Sequence, residues 1–176
     1  RRSTIKMELT PVLCGSAFKN KGVQKLLDYV VHCMPSPLEL PPIIGISASA
    51  EEHKTLSQDD DGPFAALAFK IQVDKHKGKL TYVRVYSGSL KSGTYVQNST
   101  KNTRERIGRI VQMHANKQEI RDEIYCGDIV ALIGLNDTRT GDTLCTQDTN
   151  IVLENIEFPA PVISMSLKAN NKMEND

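Results

Sequence analysis

Apolar and polar residues alternate along residues 62–93, and this alternation predicts consecutive β-strands. From residue 65 to residue 73 every second position is apolar, the period of a strand with one face in a core; these positions are Ala65, Leu67, Phe69, Ile71 and Val73. Residues 80–87 are rich in β-branched and aromatic side chains and predict a second strand. A third begins at residues 94–96, after a turn with glycines. Short connections between the three strands predict an antiparallel meander that opens a small barrel.

The chain that follows this meander continues the β pattern. We predict, in order, a polar hairpin tip, a strand, an acidic turn region, an apolar strand and a turn leading to a short strand, at residues 98–105, 106–114, 119–128, 129–135 and 138–145. With glycines at the corners, about six strands are compatible with a Greek-key β-barrel. The fold class is therefore mainly β, with the barrel at residues 62–150.

The N-terminal part has a different pattern. Residues 23–34 carry apolar side chains at i, i+3, i+4, i+7, i+8 and i+11, which is the single stripe of an amphipathic helix. A short apolar segment, residues 8–14, comes before the helix and is followed by the small residues Gly15-Ser16-Ala17. A strand, a loop and a helix make half of a βαβ unit, so residues 1–45 are expected to be the end of a parallel α/β domain. Its other strands would lie upstream of Arg1, and we expect the chain to be part of a larger protein.

Two segments flank the predicted barrel. Residues 46–61 are predicted to be an acidic linker, because they contain five acids against one lysine and few large apolar residues. Residues 151–176 are predicted to be a connector and the first strand of another domain, with that strand at residues 162–167.

Composition limits the classes of protein that fit this chain. The formal net charge is +1, so the chain as a whole does not behave as a polycation. There is no run of eighteen apolar residues, and we expect no contact with a membrane. The four cysteines are far apart and form no C-x-x-C motif, which favours the reduced thiols of a cytoplasmic protein over a disulfide framework.

The nearly neutral total charge conceals a polarised barrel. Residues 70–91 contain six basic residues against one acid, and residues 101–117 contain five against one. Residues 119–148 contain seven acids against two basic residues. Lysine and arginine at hairpin tips suit contacts with nucleic-acid phosphates, but they equally suit a solvated loop, and the charges alone favour neither interpretation.

Other chemically active side chains give weaker signals. Tyr82 and Tyr86 share one strand face and are predicted to be core or domain-interface residues, with base-stacking platforms as the alternative. Arg109 interrupts an apolar strand face and is expected to be paired rather than to contact a neighbouring domain, because an unpaired buried charge is costly. His32 lies off the helix stripe without acids or cysteines at ligand spacing, so neither a metal site nor a nucleophile is predicted there.

Several long motifs of this chain resemble elongation factor G of the bacterial type, a translational GTPase, in the same order along the sequence. They are PVLCGSAFKNKGVQKLLDYVV, ALAFKI, RVYSGSLKSG, RIGRIVQMHAN, CGDIVALIGL, TGDTLC and EFPAPVISM. The resemblance implies that residues 1–45 end the GTPase domain, that the barrel is the second domain, and that the C-terminal strand begins an α+β third domain. Lys75-His76-Lys77 and residues 169–176 depart from the family pattern. A release-factor or ribosome-protection relative, which shares the barrel, and a free-standing oligonucleotide-binding barrel remain the alternatives.

The resemblance also implies a function. Elongation factor G is a ribosome-dependent GTPase that drives the translocation of tRNA and mRNA, with GTP and Mg²⁺ bound to the full-length protein. In this family the small residues that match Gly15, Ser16 and Ala17 bring a backbone N–H to the guanine O6. The phosphate-binding motif G-x-x-x-x-G-K-[ST] does not occur in the 176 residues, so we expect this chain alone not to hydrolyse GTP.

The resemblance further implies that the ribosome is the partner of the barrel. The barrel would dock on small-subunit rRNA, as a monomer, and relay the nucleotide state to the domains beyond it. The leading candidates for contacts with rRNA phosphates are Lys101, Arg104 and Arg106. The second group of candidates, at the turn of the first hairpin, is Lys75, Lys77 and Lys79.

Overall fold

The computed structural model describes residues 1–47, 52–74, 78–115, 117–153, 162–163 and 165–166. The helices in this part are α1 (Arg2–Ile5), α2 (Val23–Cys33) and a short 3-10 helix (Pro37–Glu39). The strands are β1 (Ile43–Ser47), β2 (His53–Leu56), β3 (Ala65–Asp74), β4 (Gly78–Ser87), β5 (Leu90–Lys91), β6 (Tyr95–Asn98), β7 (Thr103–Arg106), β8 (Arg109–His114), β9 (Lys117–Arg121), β10 (Glu123–Ile124), β11 (Ile129–Ile133), β12 (Thr143–Cys145) and β13 (Ile151–Val152).

Eight strands form one antiparallel sheet in the order β7-β6-β12-β3-β4-β11-β8-β9, and β5 pairs with β10 beside it. The sheet curls around a single apolar core to which most of its strands contribute; its largest members include Phe64, Ile107, Ile110, Leu132 and Leu144. The chain between β7 and β8 ties distant strands together, since the Gly108 amide donates to the Ile133 carbonyl at 2.8 Å. The predicted mainly-β barrel is confirmed. It has more strands than expected because β7 and β9 form where a hairpin tip and an acidic turn were predicted.

The predicted three-stranded meander is wrong in its third strand. β3 and β4 pair as a hairpin, but β6 pairs with β12 and β7, and the second edge of β4 is occupied by β11. The chain turns away after β4 at Gly88, which has φ 72° and lies so close to the backbone of Phe64 that a Cβ would come within 2.6 Å of its nitrogen. Sequential strands are thus separated and non-sequential strands meet, as in a Greek key.

The face of β3 that enters the core also differs from the prediction. Ala66 and Ala68 point into the barrel core, whereas Phe69 is 39% exposed and Val73 is 78% exposed. The register of the β3–β4 ladder shifts twice, between Ala65 and Ala66 and between Ala68 and Lys70, so simple alternation does not hold along the strand. The small inward side chains of β3 leave room in the narrow barrel for the larger core residues of the other strands.

The segment predicted to be an acidic linker, residues 46–61, contains β2 and the end of β1. Together with β13 these strands form a three-stranded antiparallel sheet in the order β13-β1-β2. Leu56 and Ile151 of this small sheet are buried against Ala65 and Cys145 on the outside of the barrel. A few apolar side chains are therefore enough to hold this segment on the barrel, and the proposed domain boundaries stay predictions.

Outside the barrel the helix prediction is confirmed and the strand predictions are not. α2 covers Val23–Cys33, but no strand forms at residues 8–14, because no described strand lies beside them to complete a ladder. Residues 162–163 and 165–166 form no strand either, and the rest of that predicted strand lies outside the described residues. None of the helices in the described ranges is both long and apolar enough to cross a membrane.

Candidate functional site

The β6–β7 hairpin presents one polar and partly aromatic surface to solvent. Its register pairs Tyr95 with Arg106 and Gln97 with Arg104, and these four residues alternate with buried neighbours on both strands. The four outward residues, Tyr95, Gln97, Arg104 and Arg106, are called the hairpin face below. β7 lies at an edge of the large sheet, so the face is open on that side.

The two arginines of the hairpin face are available to a ligand. The Arg104 guanidinium carbon lies 4.4 Å from the centroid of the Tyr95 ring, which is itself 55% exposed. The Arg106 Nε donates to the Gly93 carbonyl at 3.3 Å, and its terminal nitrogens form no hydrogen bond within the described residues. Within the described part of the chain, neither arginine forms an ion pair with a carboxylate. The hairpin face is therefore a small cationic surface without an internal counter-charge.

Lys101, at the tip of the same hairpin, is engaged with the barrel instead. Its Nζ lies 2.9 Å from Asp142 Oδ2 and also donates to the Asp137 carbonyl, and the side chain is only 29% exposed. Its backbone amide donates to Asn98 Oδ1 at 3.1 Å. Lys101 thus closes the hairpin tip against the loop before β12.

Asp142 is the acceptor at the centre of this contact. Besides the Lys101 ammonium, the Asn98 amide and the Arg139 backbone amide each donate to Asp142 Oδ2 at 2.8 Å. Burial raises the pKa of Asp142, but the hydrogen bonds from Arg139, Asn98 and Lys101 outweigh it, and the net pKa lies below the usual value. Asp142 is consequently a charged anchor at neutral pH.

Glu105 fixes the other end of the same loop. The side chain points inward between Arg104 and Arg106, and the residue is only 7% exposed. Its carboxylate accepts hydrogen bonds from the backbone amides of Asn136 at 2.6 Å and Asp137 at 2.8 Å and from the Thr138 hydroxyl. In the sequence Glu105 stands out only as a charge, because residues 98–105 were predicted to be a hairpin tip; its place between two arginines on a strand is the signal that it faces inward.

The first-hairpin candidates are placed differently. Lys79 Nζ donates to the carbonyls of Asn136 at 2.7 Å and Thr138 at 2.6 Å, on the loop that Glu105 and Asp142 also hold. Lys75 and Lys77 lie outside the described residues. Of the six candidates for RNA contacts, Arg104 and Arg106 lie together on an exposed face. The ammonium groups of Lys101 and Lys79 instead contact the loop of residues 135–142. Their roles in RNA binding stay predictions.

Residues 63–147 match the family model described as elongation factor G domain 2. The barrel is a translation-factor domain 2. The hairpin face and the network of Lys101, Glu105 and Asp142 all lie inside the matched residues of domain 2.

The tyrosines of β4 lie on the outside of domain 2 and not in its core. Tyr82 and Tyr86 are half-buried, and each ring has a cation above it: Lys70 Nζ at 5.5 Å and Arg84 Cζ at 5.1 Å from the respective centroids. The core prediction for these tyrosines is wrong, because the inward positions of β4 are Val83 and Val85. Whether the tyrosines meet another domain stays a prediction.

The prediction that Arg109 is paired is also wrong. The residue is exposed, and among the described residues it forms no ion pair. An exposed guanidinium has no desolvation cost that a partner must offset.

The predicted guanine loop lies before α2, outside the residues that match domain 2. The Ser16 amide donates to the Lys21 carbonyl at 2.9 Å, and the Lys21 amide returns a bond to the Ser16 carbonyl at 3.0 Å. A Cβ at Gly15 would come within 2.8 Å of the Lys21 carbonyl oxygen, so the closed loop itself requires glycine there. Beside the loop is an open cavity of about 210 Å³ whose lining includes Gly15, Ser16 and Ala17, and the Ser16 amide already donates to the Lys21 carbonyl.

No group of three or more His, Cys, Asp or Glu side chains gathers into a candidate metal site in the ranges that the structure describes.

Proposed function

We propose that this chain is part of a ribosome-dependent GTPase of the elongation factor G kind, and that domain 2 docks on small-subunit rRNA through the hairpin face. The observation that carries the proposal is that a domain matching the translation-factor family presents two guanidiniums, without internal counter-charges, on one exposed strand face. Of the three leading candidates we keep Arg104 and Arg106 and omit Lys101, whose ammonium is engaged by Asp142.

Arginine is well suited to this role. Its guanidinium offers several donors in a fixed fork and binds phosphate oxygens in two-pronged contacts. Phosphate contacts of this kind position a protein on RNA without reading its sequence. The hairpin is also fixed before binding, because Lys101 and Glu105 attach it to the loop of residues 135–142, so little conformational entropy is lost on docking.

The relay part of the proposal is supported by contacts between the barrel and the N-terminal part. The Gln58 side-chain amide donates to the Pro41 carbonyl at 2.8 Å. A Cβ at Gly127 would come within 2.7 Å of the Pro37 ring, so the connector after α2 lies directly on the barrel. A displacement of the α/β part would therefore be transmitted to domain 2 through its connector.

The proposal includes guanine recognition in the complete GTPase. GTP bound with Mg²⁺ would supply the energy of hydrolysis and the signal that distinguishes the two nucleotide states. From this chain, the Gly15 and Ala17 amides beside the small cavity would face the edge of the base. The loop requires glycine at residues 15 and 22, because larger side chains there would collide with backbone atoms.

Binding to purified small ribosomal subunits across a salt series tests the docking proposal. We compare the wild type with Arg104→Glu/Arg106→Glu and with a control, Lys117→Glu/Arg121→Glu, that makes the same charge change on β9 at the opposite edge of the sheet. Loss of two phosphate contacts is expected to weaken binding at least about tenfold and to flatten the salt slope by about 1.5–2. The control is expected to keep the wild-type slope. Equal binding and equal slopes for the wild type and the Arg104/Arg106 variant would exclude the hairpin face as the docking surface.

A further inference from the structure

The hairpin face contains a feature that phosphate docking does not use, the ring of Tyr95 stacked with Arg104. We propose that the planes of this pair bind the base of one unpaired RNA nucleotide, while the N–H edges of Arg104 and Arg106 bind phosphate. The inference rests on the proposed function, because it names the kind of RNA structure that the same face accepts.

The stack is the closest and most open of its kind in the described part of the chain. Its cation lies 4.4 Å from the ring centroid, compared with 5.1 Å at Tyr86 and 5.5 Å at Tyr82. Tyr95 is 55% exposed, whereas the other two rings are half-buried. Tyr95 and Arg104 are diagonal neighbours on adjacent strands, so the ladder itself holds the ring and the guanidinium together. The result is a flat, cationic and aromatic surface that is already assembled without ligand.

A flat surface of this kind recognises the face of a base and not a phosphate. Unpaired bases stack on tyrosine rings and on guanidinium planes, whereas a paired RNA helix keeps its base faces inside and presents phosphates and 2′-hydroxyls. Arg106 is the direct cross-strand neighbour of Tyr95, and of its nitrogens Nε donates to the Gly93 carbonyl. A bulged or single-stranded nucleotide could therefore place its base on the stack and its phosphate on Arg106.

The charges around the face favour RNA as the partner. The acid closest in sequence, Glu105, is buried and turned to the loop of residues 135–142, and Asp142 is covered by Lys101. A phosphate approaching the face thus meets two arginines and no exposed acid of the hairpin. An acidic protein segment would satisfy the arginines but would leave the exposed part of the Tyr95 ring uncovered, so we favour RNA.

The test measures how the 176-residue chain binds three fluorescent RNA probes. They are a short oligouridylate, the same strand with abasic riboses, and a blunt RNA duplex with a matched number of phosphates. The variants are Tyr95→Leu, which removes the ring, and Tyr95→Phe, which keeps it. The control is Tyr125→Leu, which removes an exposed tyrosine from the loop after β10, where its hydroxyl contacts Glu123. Circular dichroism and thermal unfolding verify that each variant is folded.

The expected pattern is specific for base stacking. Tyr95→Leu should weaken oligouridylate binding about five- to a hundredfold and leave the abasic strand and the duplex unchanged, while Tyr95→Phe and Tyr125→Leu should resemble the wild type. The salt slope should stay the same in all of them, because no charge is removed.

Two results would overturn the inference: oligouridylate binding by Tyr95→Leu at wild-type affinity, or an equal loss for all three probes. Poly-glutamate is included as a competitor, and equal sensitivity of poly-glutamate and oligouridylate binding to Tyr95→Leu would identify a protein-binding face instead. If subunit docking depends on Arg104 and Arg106 but not on Tyr95, the proposed function stands and only this inference fails.

Discussion

The placement of Lys101 can be tested by removing its charge. Lys101→Met keeps the length and the apolar stem of the side chain but deletes the ammonium that lies 2.9 Å from Asp142 Oδ2. We expect this variant to lower the free energy of unfolding of domain 2 and to leave the salt slope of ribosomal subunit binding unchanged. A surface phosphate contact would show the reverse: little effect on stability and a flatter slope.

The magnitude follows from what Asp142 keeps and loses. Its side chain is 7% exposed, and without Lys101 it still accepts bonds from Asn98 and Arg139. A hydrogen bond to a charged group contributes roughly 1.5–3 kcal/mol when it is buried. Because the Lys101 side chain is 29% exposed, water can replace part of the interaction, and we expect a loss of about 1–2 kcal/mol.

The assay is urea unfolding of a double-mutant cycle made of Lys101→Met, Asp142→Asn and the combined variant. At pH 7 the coupling between the two positions should be about 1 kcal/mol, since they touch. The pKa of Asp142 is lowered in the folded state, so the stability that its charged form provides is complete above the unfolded pKa of about 3.9 and is lost as the pH falls through the folded value. The coupling should therefore shrink below about pH 4 and disappear when Asp142 is protonated.

Two results would refute this account. One is a zero coupling energy at pH 7, which would mean that Lys101 and Asp142 act independently. The other is a coupling that stays constant as Asp142 is protonated, which would mean that Lys101 stabilises the hairpin by packing and not by its charge.

Three further predictions concern the barrel itself. Glu105→Gln should cost about 1–3 kcal/mol in urea unfolding, because an amide offers one acceptor oxygen where the carboxylate serves three donors. Gly88→Ala should destabilise the barrel by clearly more than Gly93→Ala in thermal unfolding. Both glycines have positive φ, but only at Gly88 would a Cβ lie 2.5 Å from a backbone oxygen. Equal losses for the two variants would contradict the packing argument. Iodoacetamide at pH 8 should modify Cys126 more slowly than the exposed Cys14, as measured by mass spectrometry. Burial, and to a smaller extent nearby carboxylates, raises the pKa of the Cys126 thiol and so lowers its thiolate fraction.

The sequence carried enough information for several strands of the barrel and too little for their partners. The hairpin of β3 and β4 could be predicted because its turn and its β-branched residues are local signals. The pairing of β6 with β12 could not, because it joins segments about forty-five residues apart and depends on the shape of the closed barrel. The two register shifts in β3 have no local signature either, and they move Phe69 away from the interior although its alternation predicted the opposite.

The candidate site shows the same division between local and distant information. Strand alternation places Arg104 and Arg106 on one face of β7, but residues 98–105 were predicted to be a hairpin tip, so this shared face was not predicted. The engagement of Lys101 and Lys79 could not be predicted, because their acceptors lie on a loop more than thirty residues further along the chain. A count of charges treats all four side chains alike, whereas the tertiary structure separates two that face solvent from two that hold a loop.

Strand register connects the rigidity of the hairpin with its exposed charges. A slip of one residue in β7 would turn Glu105 to solvent and both arginines towards the core, since successive side chains of a strand point to opposite faces. Burying two unpaired guanidiniums would cost several kcal/mol, and the loop amides of residues 136 and 137 would lose their acceptor at the same time. The inward acid therefore does more than stabilise a loop: it fixes the register in which Arg104 and Arg106 face outward. If the hairpin face binds RNA as proposed, variants at Glu105 should weaken binding as well as stability, although Glu105 points to the opposite side of the strand.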